Sequence, residues 1–468
     1  MFLKSIQIKN FRSIEDLTIK IDQLPDRSMT YGLIGVNEAG KSSILQALAL
    51  NDGLIIAESI DFHKGKPIQI IYSIRFDARE LVEFNSTVSE PSQLLEIRSP
   101  DVDLSISYEQ SSPSTKAAKV TVDGQDIIKD PMPGQSELIV KFTAFALDKL
   151  PKSIFWSAED KFLISKPIIL SDFASSPKSI SVPLKNCFHL AGYIDIAQSI
   201  NELSGSTDKE ELQTKLGDEV TAHIRSVWPS HPIKITFLID NNQINFHVKD
   251  EDTKEKAKTA EQRSDGFKQF ISFLLTVSAE SKNEELSNSI ILLDEPETHL
   301  HPMAQEYLLN ELISITRNAR NNIAFFATHS NYMIDKQDLS RNHKVVKEGG
   351  RSKCIRLDGK KSSYASVTYE VFELPTNDYH NELYGSLQEK FELYKVDEFD
   401  DYLHKKGIAK DMNYIKLVKG KGSQAILLTL PTYIRNRIHH PENPENRGFM
   451  SDELKRSIDL LRNLDQTA

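Results

Sequence analysis

A glycine-framed loop placed directly after an apolar run constrains this chain more than any other feature. Tyr31-Gly32-Leu33-Ile34 reads as the end of a buried strand, and Gly35-Val36-Asn37-Glu38-Ala39-Gly40-Lys41-Ser42-Ser43 follows it at once. A strand, a glycine turn and then a helix over Ser43 to Leu50 form a unit that belongs in an α/β sheet. Such a loop aims successive backbone N–H groups at phosphate oxygens. Gly35, Asn37, Glu38, Ala39, Gly40 and Ser43 build the cradle, Lys41 reaches the outer phosphates, and the Ser42 hydroxyl is a ligand for Mg²⁺. The expected ligands are a nucleoside triphosphate and Mg²⁺.

The 468 residues exceed one ordinary domain and imply two or three structural units with a conventional core. Cys187 and Cys354 lie far apart with no paired spacing. That excludes a zinc ribbon or a disulfide framework and suits a reducing cytosol. No signal peptide is read at Met1-Phe2-Leu3-Lys4, and the longest apolar stretches, near Phe270 to Val277 and Ile290 to Leu293, are too short to cross a bilayer. A cytoplasmic protein without a membrane partner is expected. The net charge is −10, so any contact with nucleic acid has to come from a local patch.

Alternating residues predict paired strands over residues 3 to 21 and an antiparallel sheet from Ile68 to Phe76 and from Leu94 to Tyr108. Helical spacing takes over between Lys185 and Ile224, and a hairpin follows with strands Ile233 to Ile239 and Ile244 to Val248 about the turn Asp240-Asn241-Asn242. Lys249 to Arg263 is almost wholly polar and reads as a connector or a solvated helix start. The expected organisation is 1–184 for the first part of an ATPase head, 185–263 for a helical insertion and hairpin, 264–364 for the rest of the head, and 365–468 for a helical C-terminal region.

Ile290-Ile291-Leu292-Leu293-Asp294-Glu295-Pro296 is a continuous apolar strand that ends in two acids. A parallel sheet produces this arrangement at its carboxyl edge. Asp294 is expected to hold Mg²⁺ and Glu295 to polarise an attacking water, because hydrolysis needs a carboxylate beside a metal-neutralised γ-phosphate. Ile323-Ala324-Phe325-Phe326-Ala327-Thr328-His329-Ser330 is a second buried strand, and its end makes His329 a catalytic candidate.

Taken in order, these motifs, with Ile8-Lys9-Asn10-Phe11-Arg12-Ser13 and Arg263-Ser264-Asp265-Gly266-Phe267, resemble those of ABC-type ATPases. The branch is that of RecF, Rad50 and the OLD-like proteins, also described as AAA ATPases. The resemblance covers residues 1 to about 350. It implies an α/β P-loop head with an antiparallel β subdomain, a helical insertion and a helical C-terminal region. It further implies two ATPs sandwiched between two heads, with Ser264 and Gly266 capping the γ-phosphate held by the other copy and Arg12 beside the phosphates. A helix N-terminus with a glycine suits that capping. The chain has no sustained heptads, so long coiled-coil arms are not expected. Leu417-Val418-Lys419-Gly420-Lys421-Gly422-Ser423 carries lysines where a Toprim nuclease needs acids.

Compact heads of this branch resemble the sensor subunits of bacterial anti-phage systems of the PARIS and Septu kind. That resemblance implies a homo-oligomer of head-to-head dimers controlling a separate effector nuclease. A RecF-like DNA-repair or DNA-maintenance ATPase is one alternative, and a ribonuclease in the tail gated by the ATPase head is another. In the tail, Arg435, Asn436 and His440 are spaced like the motif of HEPN ribonucleases. There arginine would stabilise a pentavalent phosphate and histidine would move a proton. The more ordinary reading of the same residues is a structural helix end before Pro441. Lys405, Lys406, Lys410, Lys416, Lys419 and Lys421 make the tail locally basic, as a nucleic-acid contact or a solvated face would be.

Overall fold

The computed structural model describes every residue except 54, 88–99, 127–134, 165, 228–232, 251–257, 260–264, 278–286, 299, 318–320, 358–362, 419–421 and 468. Two compact units divide the chain, one of residues 1–335 and 339–359 and the other of 336–338 and 360–468.

At the centre of the first unit is a six-stranded sheet. Its strands run in the order Arg351–Arg356, Asn342–Glu348, Thr30–Ile34, Ile323–Thr328, Ser289–Asp294 and Lys152–Trp156. All neighbours are parallel except the closing hairpin of Asn342–Glu348 with Arg351–Arg356. Strands buried on both faces must be apolar throughout, which is why the P-loop strand and Ile323–Thr328 show no exposed position. Each buried Leu, Ile or Phe adds about 1.5–3 kcal/mol relative to leaving it in water. Register then places the chemistry. Asp294 pairs with Ala327 and Thr328 pairs with Ile34, so Asp294, His329 and the loop after Ile34 emerge at one carboxyl edge.

A second sheet is antiparallel, in the order Ile14–Lys20, Phe2–Phe11, Ile68–Arg75, Asp101–Glu109, Ser112–Val122 and Gln125–Asp126. Its strand Ile68–Arg75 alternates buried and partly buried positions, as a sheet with one face on the core requires. The expected strand start at Leu94 lies outside the described residues, and the strand is seen from Asp101. The hairpin Ile233–Asp240 with Gln243–Asp250 turns at Asn241-Asn242, with Asn241 at φ 51°. It is covered by the helix Ser206–Val227, whose buried residues Leu212, Leu216, Val220 and Ile224 recur every fourth position. Of the polar stretch 249–263, only the end of that strand and Lys258–Thr259 are described.

The second unit holds the helices Tyr364–Phe372, Asn377–Lys390, Val396–Lys405, Leu430–His439 and Ser451–Thr467. It also contains an antiparallel pair of strands, Met412–Val418 with Gly422–Leu428, in a region expected to be helical throughout. The reason is local: β-branched and aromatic residues in Asn413-Tyr414-Ile415-Lys416-Leu417-Val418 favour a strand.

Candidate functional site

Two glycines let the loop after Ile34 close on itself. Gly40 adopts φ 105°, and a Cβ there would lie 2.2 Å from Ser352 Oγ. At Gly35 a Cβ would lie 2.3 Å from the Val345 carbonyl oxygen. Any larger residue would push the loop off the neighbouring hairpin. Gly40 is also the N-cap of the helix Lys41–Ala49 and offers no side-chain cap, so the first backbone N–H groups of that helix face the loop interior.

Of the expected residues, Arg12, Asn37, Glu38, Gly40, Lys41, Ser42, Ser43, Glu295 and His329 line one cleft of about 750 Å³, joined by Ser13 and Lys347. Gly35 and Ala39 hold the loop without lining the cleft: the Gly35 carbonyl accepts from Lys41 Nζ at 3.0 Å, and the Ala39 carbonyl accepts from Ser352 Oγ at 2.6 Å.

Lys41 is only 4 % exposed. Its Nζ also donates to the Val36 carbonyl at 3.1 Å and lies 2.8 Å from His329 Nε2. Burial lowers its pKa, while the carboxylates of Glu295, Asp294 and Glu297 pull the other way. The same His329 Nε2 sits 3.1 Å from Glu295 Oε1. One imidazole nitrogen therefore faces a donor and an acceptor. Unprotonated it accepts from Lys41, and protonated it donates to Glu295. Burial first, and then the Lys41 ammonium, hold the His329 pKa below the usual value and favour the neutral ring.

Ser42 Oγ donates to Asp294 Oδ1 at 2.9 Å, which brings together the two expected Mg²⁺ ligands. Burial pushes the Asp294 carboxyl up to about 6, against the hydrogen bond from Ser42, and neighbouring Glu295 raises it further. A desolvated carboxylate beside a hydroxyl and another acid is a hard-oxygen site that a small divalent cation would relieve. The residues fit Mg²⁺, which takes one or two carboxylates and fills the rest of its shell with phosphate and water. Among the described residues no cluster of three or more acids, histidines or cysteines is placed to hold a metal ion.

Arg12 adopts φ 52° and is held from several sides. Its N–H donates to the Asp61 carbonyl at 2.9 Å, and its Nε donates to the buried Asp61 carboxylate at 2.7 Å. Nη1 donates to Gln46, and His63 Nε2 lies 2.6 Å from its carbonyl oxygen. Asp61 also accepts from the Glu58 N–H at 2.8 Å, so the clamp is itself fixed.

The remaining expected residues do not join this cleft within the described structure. Ser264 lies outside the described residues, and Gly266 is the second residue of the helix Asp265–Val277. In the tail, Arg435 donates to Asn436 at 3.1 Å, while His440 ends the helix Leu430–His439 and lies 3.5 Å from Glu442.

Three contributors escaped the sequence reading. Lys347 reaches the cleft only because the strand Asn342–Glu348 lies beside the P-loop strand. Asp61 serves Arg12 from 49 positions away. Glu297 is 5 % exposed, and its Oε1 accepts from Thr328 Oγ1 and from the His329 N–H at 3.1 Å. The signal for Glu297 was an acid immediately after a proline that follows two functional acids, a place where a solvated turn is the ordinary expectation.

A family model described as an AAA ATPase domain matches residues 1–334. Among curated proteins, an uncharacterized protein of Methanocaldococcus jannaschii is 26% identical over 128 residues, covering 26% of this chain and 32% of that protein. Protein ea59 of Escherichia phage lambda is 34% identical over 103 residues, covering 21% of this chain and 19% of that protein. The chain thus spans less than a third of the length of either relative. Among solved structures, an Smc head bound to the C-winged helix domain of ScpA has a TM-score of 0.43 at 14% identity, covering 76% of this chain and 98% of that one. The SMC head domain from Thermotoga maritima has a TM-score of 0.36 at 10% identity, covering 76% of this chain and 100% of that one.

Proposed function

The chain belongs to the AAA ATPase domain family, whose model spans residues 1–334, and from that premise we propose that it binds and hydrolyses ATP with Mg²⁺ at the P-loop cleft. One observation carries the proposal: Lys41 and Glu295 both reach His329 Nε2, at 2.8 and 3.1 Å, beside the Ser42–Asp294 pair. On nucleotide binding, Lys41 exchanges the Gly35 and Val36 carbonyls for phosphate oxygens, and the helix N–H groups after Gly40 complete the cradle. Ser42 and Asp294 would hold Mg²⁺, which would supply charge neutralisation at the phosphates. Glu295 orients water and accepts its proton, with His329 fixing that carboxylate and Lys41 in place. Arg12, clamped by Asp61, faces the phosphates.

The finer reading is that two heads engage, with Ser264 and Gly266 of each copy completing the site of the other, and that the assembly is the ATP-controlled sensor of an anti-phage system acting through a separate effector nuclease. The motif resemblance supports this part of the proposal. No described helix is long and apolar enough to cross a membrane.

Purified chain should turn over ATP, and Glu295→Gln should lower kcat by about 10²–10⁴-fold while still binding ATP. Mass measurement should show Glu295→Gln dimerising or growing with ATP, and Lys41→Ala should not respond. Undiminished turnover in Glu295→Gln would remove Glu295 from its role. Co-purification of the native complex tests the effector: a nuclease partner supports the sensor reading, and ATP-dependent binding to DNA ends by the isolated chain favours DNA maintenance.

A further inference from the structure

We propose that Glu297 is a positioning residue for His329, which it holds through the backbone so that the imidazole meets Lys41 and Glu295. This rests on the ATPase reading above and adds to it a side chain outside the phosphate cradle and the metal pair.

The geometry is specific to that purpose. His329 leaves its strand at the carboxyl edge, and the place of its backbone decides where the ring lands. Glu297 Oε1 accepts from the His329 N–H at 3.1 Å and also from the hydroxyl of Thr328, which is fully buried. That hydroxyl accepts in turn from the Ser330 N–H at 2.9 Å, so one carboxyl group orders three consecutive residues. The opposite end of the Glu297 loop is tied as well. Gln305 Nε2 donates to the Leu300 carbonyl at 2.8 Å and to the Glu297 carbonyl at 3.4 Å, and Gln305 Oε1 accepts from Ser330 Oγ. Two loops that carry Glu295 and His329 are thereby fastened together.

A simple strut does not require a carboxyl group. Glu297 Oε2 is buried and has no hydrogen-bond partner among the described residues, a cost of burial that an apolar packing residue would avoid. Burial pushes the Glu297 carboxyl up to about 7, in keeping with a group held in a dry setting beside charged neighbours.

The test is a double-mutant cycle on the full chain, read as kcat and KM for ATP. His329→Ala and Glu297→Ala should each lower kcat by about 10–100-fold, with KM within about threefold. The double variant should be no more than about twofold slower than His329→Ala, because Glu297 acts through His329. Glu297→Gln keeps an acceptor oxygen for both donors and should stay within about threefold of wild type. Full kcat in Glu297→Ala, no loss in His329→Ala, or additive losses in the double variant would overturn the proposal. If Glu297→Ala loses its cooperative melt, Thr328→Val replaces it; the same non-additivity with His329→Ala is expected, and additivity overturns. A wild-type chain without Lys41-dependent turnover sinks the ATPase reading together with this one. Normal wild-type turnover with additive losses sinks only the positioning.

Discussion

At Arg12, Glu38 and Glu295 the backbone around the cleft takes φ values of 52°, 61° and 49°, whereas in the C-terminal unit the described non-glycine residues with positive φ are Glu373 and Glu392, each just past a helix. A left-handed residue that ends a helix satisfies carbonyls that would otherwise be orphaned, so it costs little. The cleft residues end no helix. Their conformation costs of order 1–3 kcal/mol each and persists only where the surroundings over-determine it, as the Asp61 clamp does for Arg12. Charge follows the same division. Lys41, Asp294 and Glu297 are buried together with shifted pKa values, while His440 is 55 % exposed beside Glu442. Desolvated charge thus lies where the chemistry is proposed, whereas left-handed backbone also occurs at turns such as Asn241, and the exposed His440 has neither.

The largest effect that tests this contrast is Lys41→Ala, expected to lower kcat/KM for ATP by about 10²–10³-fold. Wild-type turnover in that variant would break the contrast outright. Next comes the pH dependence of stability. The Glu297 pKa is about 7 in the folded chain, above the ordinary glutamate value of 4.5, so the folded state holds a proton that the unfolded state has released across that window. Stability therefore falls as pH rises from about 4.5 to 7, by up to about 1.4 kcal/mol per unit, and levels off above. Denaturant titrations over that range should show wild type losing stability relative to Glu297→Gln, and parallel curves would remove the buried carboxyl from the account. Asp61→Ala should cost about tenfold in kcat/KM, since it frees Arg12 without removing it, close to a single lost charged hydrogen bond of about 1.5–3 kcal/mol. Smallest of all, Arg435→Ala and His440→Ala should leave ATP turnover within about twofold, as expected of a half-buried and an exposed residue that line no part of the cleft. RNA cleavage by the wild type that disappears in His440→Ala would make the tail a second site and sharpen the contrast into two chemistries.

Much of the cleft was legible from residues alone. The P-loop was read from glycine spacing after an apolar strand, and Asp294, Glu295 and His329 from their places at the ends of two apolar runs. These signals act within a few residues, so they survive without any knowledge of neighbours. Glu297 was not legible, because what distinguishes it from a solvated turn acid is burial against Thr328 and His329. Asp61 was hidden for the same reason. The strand pair Met412–Val418 and Gly422–Leu428 was missed in a tail read as helical, since short alternating segments compete poorly with long helical stretches on either side.

By itself the sequence determined which segments could be strands, where the phosphate-binding turn falls, and which acids and histidine could take part in chemistry. Glycine stereochemistry and the periodicity of apolar residues are local properties and need no partner strand. Only the tertiary structure decided that Ser42 meets Asp294 across 252 positions, that one nitrogen of His329 faces both Lys41 and Glu295, and that Glu297 is buried beneath them. Those meetings follow from the parallel register of the central sheet, which is set by the burial of whole strands against one another and is written in no single segment.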